Sequence, residues 1–155
     1  MTMTEILVQF VLRQMPEALF LVLAVFAYNR RKVEWKQYLA CSALWLISNV
    51  LVRMLPIQFG VHTLLGVLLL IGICTYVGKF PLIEALKAAL FVTVLLCILD
   101  AINLSIAMAY LGSSFEAVMQ QVIPKTLWGT PALVAFGVIT VCVYKVRTRT
   151  KAKEA

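Results

Sequence analysis

Polar positions along this chain are few and bunched, and they separate five apolar runs, at about residues 6–28, 38–55, 61–77, 88–110 and 127–146. The fourth, Ala88 to Tyr110, has 23 residues. At ~1.5 Å per helical residue it is about 35 Å long, against roughly 30 Å of bilayer hydrocarbon. In lipid a single chain of this kind satisfies its backbone hydrogen bonds as helices. The pattern therefore predicts an all-α integral membrane protein, a bundle of five transmembrane helices forming one domain over residues 1–146. A basic tail, 147–155, follows and is expected to be disordered. Composition strengthens this reading: 63% of the residues are hydrophobic and the mean hydropathy is +0.96, far above a soluble domain.

Punctuation between the runs is short. Pro16 interrupts the first and is expected to kink it, because proline removes a backbone donor. Asn29 to Lys36 is a basic loop. Pro56 to Gly60 and Gly78 to Pro81 read as tight turns. Leu82 to Lys87 is amphipathic and is expected to lie in the interface before the fourth span descends. Beyond Gly112, the residues Phe115, Val118, Met119, Val122 and Ile123 recur at helical spacing, which predicts a short surface helix ended by Pro124. Pro131 is expected in the first turn of the fifth span, where proline costs little.

The net charge is +7. The cations sit in short loops, a pattern of membrane orientation and not of nucleic-acid binding. With five spans the termini lie on opposite sides. If the tail is cytoplasmic, Arg30, Arg31, Lys32, Lys36, Lys79, Lys87, Lys145, Arg147, Arg149, Lys151 and Lys153 share that side, 11 of the 14 basic residues, leaving Arg13, Arg53 and Lys125 outward. The expectation is an N-terminus outside and a C-terminus in the cytoplasm. Tyr28, Trp35, Tyr38, Tyr76 and Tyr144 then fall at the inner interface, with Tyr110 and Trp128 at the outer one.

In that frame the polar residues within the spans gather in the outer halves. Arg13, Gln14 and Glu17 lie on the first span, Asn49 and Arg53 on the second, His62 at the top of the third, and Asp100 and Asn103 near the middle of the fourth. Charge inside a bilayer is costly and is retained where it is used. The candidate site is therefore a polar pocket open to the outside, lined by Arg13, Glu17, Asn49, Arg53, His62, Asp100 and Asn103. Arg13–Glu17 and Arg53–Asp100 are the pairs expected to neutralise it. The plainer alternative is that these groups tie helices together by hydrogen bonds, worth about 0.6–2 kcal/mol each. For His62 the plain reading is a capping or water-exposed side chain.

Enzymatic chemistry finds little footing. One histidine cannot build a multi-histidine metal site. Nucleophile-elbow, phosphate-loop, zinc-protease and dinucleotide motifs are missing from the sequence. Cys41, Cys74, Cys97 and Cys142 lie in or beside apolar runs without C-x-x-C spacing and read as packing residues. No enzyme activity, cofactor, metal or nucleic acid is expected.

The run Arg13-Gln14-Met15-Pro16-Glu17, followed by Arg53-Met54-Leu55-Pro56-Ile57-Gln58-Phe59-Gly60-Val61-His62-Thr63, resembles the membrane-sensor halves of accessory-gene-regulator-type, peptide-sensing histidine kinases of Gram-positive bacteria. The order of spans over nearly the whole chain is similar. The chain departs from that family in ending at Ala155, without a dimerisation helix or ATP-binding domain. The resemblance implies a receptor in a bacterial cytoplasmic membrane for an extracellular peptide or small molecule, with Glu17, Arg53, His62 and Asp100 lining or gating its pocket. The expected partners are membrane lipids, that ligand, a membrane or cytoplasmic protein, and further copies of the chain. The rival expectation is a small transporter or channel component, since intramembrane charges mark ion and substrate paths equally well.

Overall fold

The computed structural model describes residues 3–54 and 59–153; within these, the side chains of Ile6, Arg53, Met54, Phe59, His62, Val122 and residues 148–153 are outside the description. Among the described residues every regular element is helical: α1 (Met3–Gln9), a π-helical turn (Phe10–Gln14), α2 (Met15–Tyr28), α3 (Trp35–Met54), α4 (Phe59–Tyr76), α5 (Leu82–Leu111), a 3-10 turn (Gly112–Ser114), α6 (Phe115–Gln120) and α7 (Val122–Lys153). Three stretches are long and apolar enough to cross a membrane: Met3–Tyr28, Leu82–Gln120 and Ile123–Arg147. These correspond to the first, fourth and fifth of the expected spans. The apolar part of α4, Thr63–Tyr76, is shorter. α3 is 20 residues long but is diluted by Lys36, Gln37, Ser42, Ser48 and Asn49.

Prolines mark three irregular places. The N–H of Met15 bonds the carbonyl of Phe10, five residues back, so a π turn stands just before Pro16, where a bend was expected. An insertion of this kind is a recognised way to bend a helix without breaking it. The surface helix ends at Gln120, and Gln121 is extended. Pro124 therefore begins the next helix, where its missing donor costs nothing. Pro131 lies inside α7 and not in its first turn; its ring denies the carbonyl four residues back its usual donor.

Two boundaries also move. Leu82 to Lys87 is continuous with the rest of α5. The tail expected to be disordered is helical as far as Lys153.

α2 occupies the middle of the bundle, packing against α3, α5 and α7, while α4 packs between α3 and α5. Its buried face is Ala18, Leu21, Val22, Val25 and Phe26. Around it stand Cys41 and Trp45 from α3, Leu70 and Cys74 from α4, Ala85, Ala88, Ala89 and Val92 from α5, and Phe136 from α7. The alanines let α5 approach closely, as small residues do between helices in lipid. Phe26 meets Phe80 edge-on at 5.0 Å and Tyr38 at 6.3 Å, the favoured geometry for aromatic pairs. Large apolar side chains also cover the outside, among them Ile47, Leu51, Leu64, Leu68, Val94, Ile98 and Ile106. A soluble monomer seldom shows so continuous an apolar surface.

Contacts set the relative directions. Arg13 meets Asp100, and Tyr28 meets Phe91, so α5 runs antiparallel to α2. Phe20 lies against Gly137, and Arg147 donates to the carbonyls of Ala27 and Tyr28 at 3.4 and 2.7 Å, so α7 runs parallel to α2.

Those Arg147 bonds also satisfy the last carbonyls of α2, the groups a helix end leaves open. Close by, the Val33 N–H donates to Tyr144 Oη at 3.3 Å. Arg31 donates to the Lys79 carbonyl at 3.1 Å and lies over the Phe80 ring. Arg30 and Lys79 both have φ of 52°, a left-handed conformation that costs a side-chain-bearing residue roughly 1–2 kcal/mol. One end of the bundle thus gathers the basic loops and is stitched together by arginine.

Gly137 gives a direct test of this packing. An added Cβ would sit 2.7 Å from the Phe20 ring. Gly137→Leu should destabilise the fold by about 1–3 kcal/mol through overpacking, read as a lowered thermal unfolding midpoint in detergent, whereas Val138→Leu, on the exposed face, should leave the midpoint nearly unchanged.

Candidate functional site

The π turn carries Arg13 and Gln14, one turn before Glu17 on α2. Its wider coil shifts the register of the first helix, so that Arg13 points between α5 and α7. Arg13 Nη2 lies 3.8 Å from Asp100 Oδ2, with 27% and 44% of the two side chains exposed. Charge-assisted hydrogen bonds are about 2.7–2.9 Å, so the two groups attract without closing tightly. The floor under the guanidinium is Gly129 of α7, where a Cβ would coincide with Arg13 Nη1. One turn along α5 from Asp100, Asn103 Nδ2 donates to the carbonyl of Trp128. That bond couples α5 to α7 three residues before Pro131. Gln14 Oε1 is buried with no hydrogen-bond partner among the described residues.

Depth follows from helix geometry. Asp100 is ten residues from Tyr110 along α5 and eighteen from Leu82, about 15 Å and 27 Å respectively. The Tyr110 ring lies 6.5 Å from that of Trp128. The charge pair therefore stands in the half of the bundle nearer this aromatic pair, opposite the arginine-stitched end.

The seven candidates separate accordingly. Arg13, Asp100 and Asn103 come together at the α5–α7 seam. Glu17 is half-buried one turn beyond Arg13, and Asn49 is half-buried on α3, which packs against α2 and α4. The side chains of Arg53 and His62 lie outside the described residues, so the Arg53–Asp100 expectation falls there. Arg13 is a partner of Asp100. Gly129 and the Trp128 carbonyl belong to the site but carried no side-chain chemistry to draw attention in the sequence. The one available signal was Trp128-Gly129-Thr130-Pro131, a glycine and a proline inside an apolar run.

Among the described residues, no group of three or more His, Cys, Asp or Glu side chains could hold a metal ion. All four cysteines are free, with Cys41 and Cys74 buried and Cys97 and Cys142 exposed. Chemically, the arrangement offers a guanidinium and a carboxylate, both partly open, beside an amide. Such a set can recognise a polar or zwitterionic group by exchange of partners.

The fold and site define an all-helical chain with three membrane-length apolar helices and a charge pair between two of them. Comparison with protein-family models, with curated proteins and with solved structures finds no match to this chain.

A double-mutant cycle tests the pair. Asp100→Asn and Arg13→Gln should each destabilise the protein, and the double variant should cost less than their sum, with a coupling of about 1 kcal/mol in thermal unfolding. Gly129→Ala should mimic the loss of the pair by displacing the guanidinium; additivity across the cycle would contradict the contact.

Proposed function

We propose that this chain is a non-enzymatic, multi-pass protein of the bacterial cytoplasmic membrane. In this reading it has five spans, its N-terminus outside and its C-terminus in the cytoplasm. It binds an extracellular peptide or small polar ligand at the Arg13–Asp100 site. It passes the change to a membrane or cytoplasmic partner. The observation that carries the reading is the ion pair between the first and fourth spans. A carboxylate and a guanidinium well inside apolar helices are retained at a cost, and here both remain partly exposed. The opposed ends support it as well. The end away from the charge pair holds the basic loops, as a cytoplasmic face would. A ligand that draws Arg13 from Asp100 would act on the π turn and on α7 together, and α7 runs the length of the bundle to the basic end.

The same partial exposure favours a second reading, a small transporter or channel component in which the pair lies on the path of the transported species. Flux through proteoliposomes holding the purified protein alone would select that reading.

The test is accessibility. In a variant whose native cysteines are replaced by serine or alanine, Asp100→Cys should react with a membrane-impermeant thiol reagent added to intact cells, and Lys145→Cys should react only after the membrane is opened. Labelling of position 100 solely from the cytoplasmic side would overturn the outward-facing site.

A further inference from the structure

Between α4 and α5 lies a groove of about 520 Å³. Leu64 and Val67 form one wall, and Leu90, Val94, Ile98 and Ala101 the other. Most of these side chains are exposed, so the groove opens away from the bundle core. From Leu90 to Ala101 it runs along eleven residues of α5, about 17 Å. That is close to half the roughly 30 Å of hydrocarbon, the depth of one leaflet. Among the described residues, none of the charged site residues lines it.

The end nearer the basic loops is marked by charge. Lys87 is exposed three residues before Leu90, which puts it on the same helix face, one turn beyond the groove. Lys79 is exposed in the turn that joins α4 to α5 at that end. Glu84 is exposed in the first turn of α5, leaving two cations to one carboxylate. Tyr76 is 87% exposed at the end of α4, placed as an interfacial tyrosine would be.

We propose that the groove holds one acyl chain of an anionic phospholipid from the leaflet at the basic end, with the phosphate at Lys87 and Lys79. The proposal rests on the membrane reading above. Size selects the occupant. The groove's length of about 17 Å matches an acyl chain, which spans one leaflet, and is about half that of a helix crossing both. A single alkyl chain is slender and flexible enough to follow it. Charge selects the headgroup: a zwitterionic lipid fills the groove equally well but gains little from two lysines, whereas an anionic headgroup near a membrane surface is held by each cation.

The full chain, reconstituted in nanodiscs of equal phosphatidylglycerol and phosphatidylcholine and then released into mild detergent, is examined by native mass spectrometry. One phosphatidylglycerol per chain should be retained in preference to phosphatidylcholine. Val94→Trp, an exposed position that leaves the core untouched, should abolish retention of both. Lys79→Gln and Lys87→Gln should each weaken the phosphatidylglycerol preference about fivefold while leaving apolar retention in place. Equal retention of the two lipids overturns the proposal, as does undiminished retention by Val94→Trp, or a dimer that Val94→Trp converts to monomer. Alkaline extraction of membranes separates the two levels. Release of the wild-type chain would sink the membrane reading and this proposal together, whereas a chain that stays in the membrane without lipid preference sinks this proposal alone.

Discussion

A guanidinium and a carboxylate facing one another between long apolar helices constrain everything around them. Neither can turn into apolar surroundings without losing its partner. Their contact at 3.8 Å therefore favours one rotation of the first helix relative to α5 and α7. The π turn and Gly129 are the local adjustments that make the contact available. One re-aims Arg13, and the other clears the surface it lies on.

The two ends of the bundle are built on different principles. At the basic end, aromatic rings and arginine–carbonyl bonds lock loops to helix ends, and the Phe26–Phe80 pair lies toward it. At the other end the first helix is thinner in contacts: Val11, Leu12 and Met15 are exposed. There polar pairing takes over from dense packing.

How much of this was readable beforehand depends on the kind of information. Helix identity was legible, because long apolar runs between short polar turns leave the backbone few alternatives. So was the presence of polar groups at Arg13, Asp100 and Asn103 within the apolar helices, since such groups stand out against that background. Their pairing was not. Helical periodicity fixes which residues share one face of one helix, as with Arg13 and Glu17, but says nothing of which helices become neighbours. Arg53 was the expected partner of Asp100 and its side chain lies outside the described residues, while the packing of α5 against α7 and the first helix brings Arg13 to within 3.8 Å of that carboxylate. Pro124 and Pro131 were misplaced for a related reason. The residue announces a break in hydrogen bonding, yet the neighbouring structure determines whether that break becomes a π turn, a helix start or an interior irregularity.

Because α2 and α7 lie side by side and point the same way, the beginning and the end of the chain are held on opposite faces of the molecule, about 39 Å apart over the 26 residues of Met3–Tyr28. A short linker cannot join them, so circular permutation would need a connection that runs the length of the bundle. The architecture is polar in the geometric sense: anything attached to one end starts from the far side of the fold from anything attached to the other.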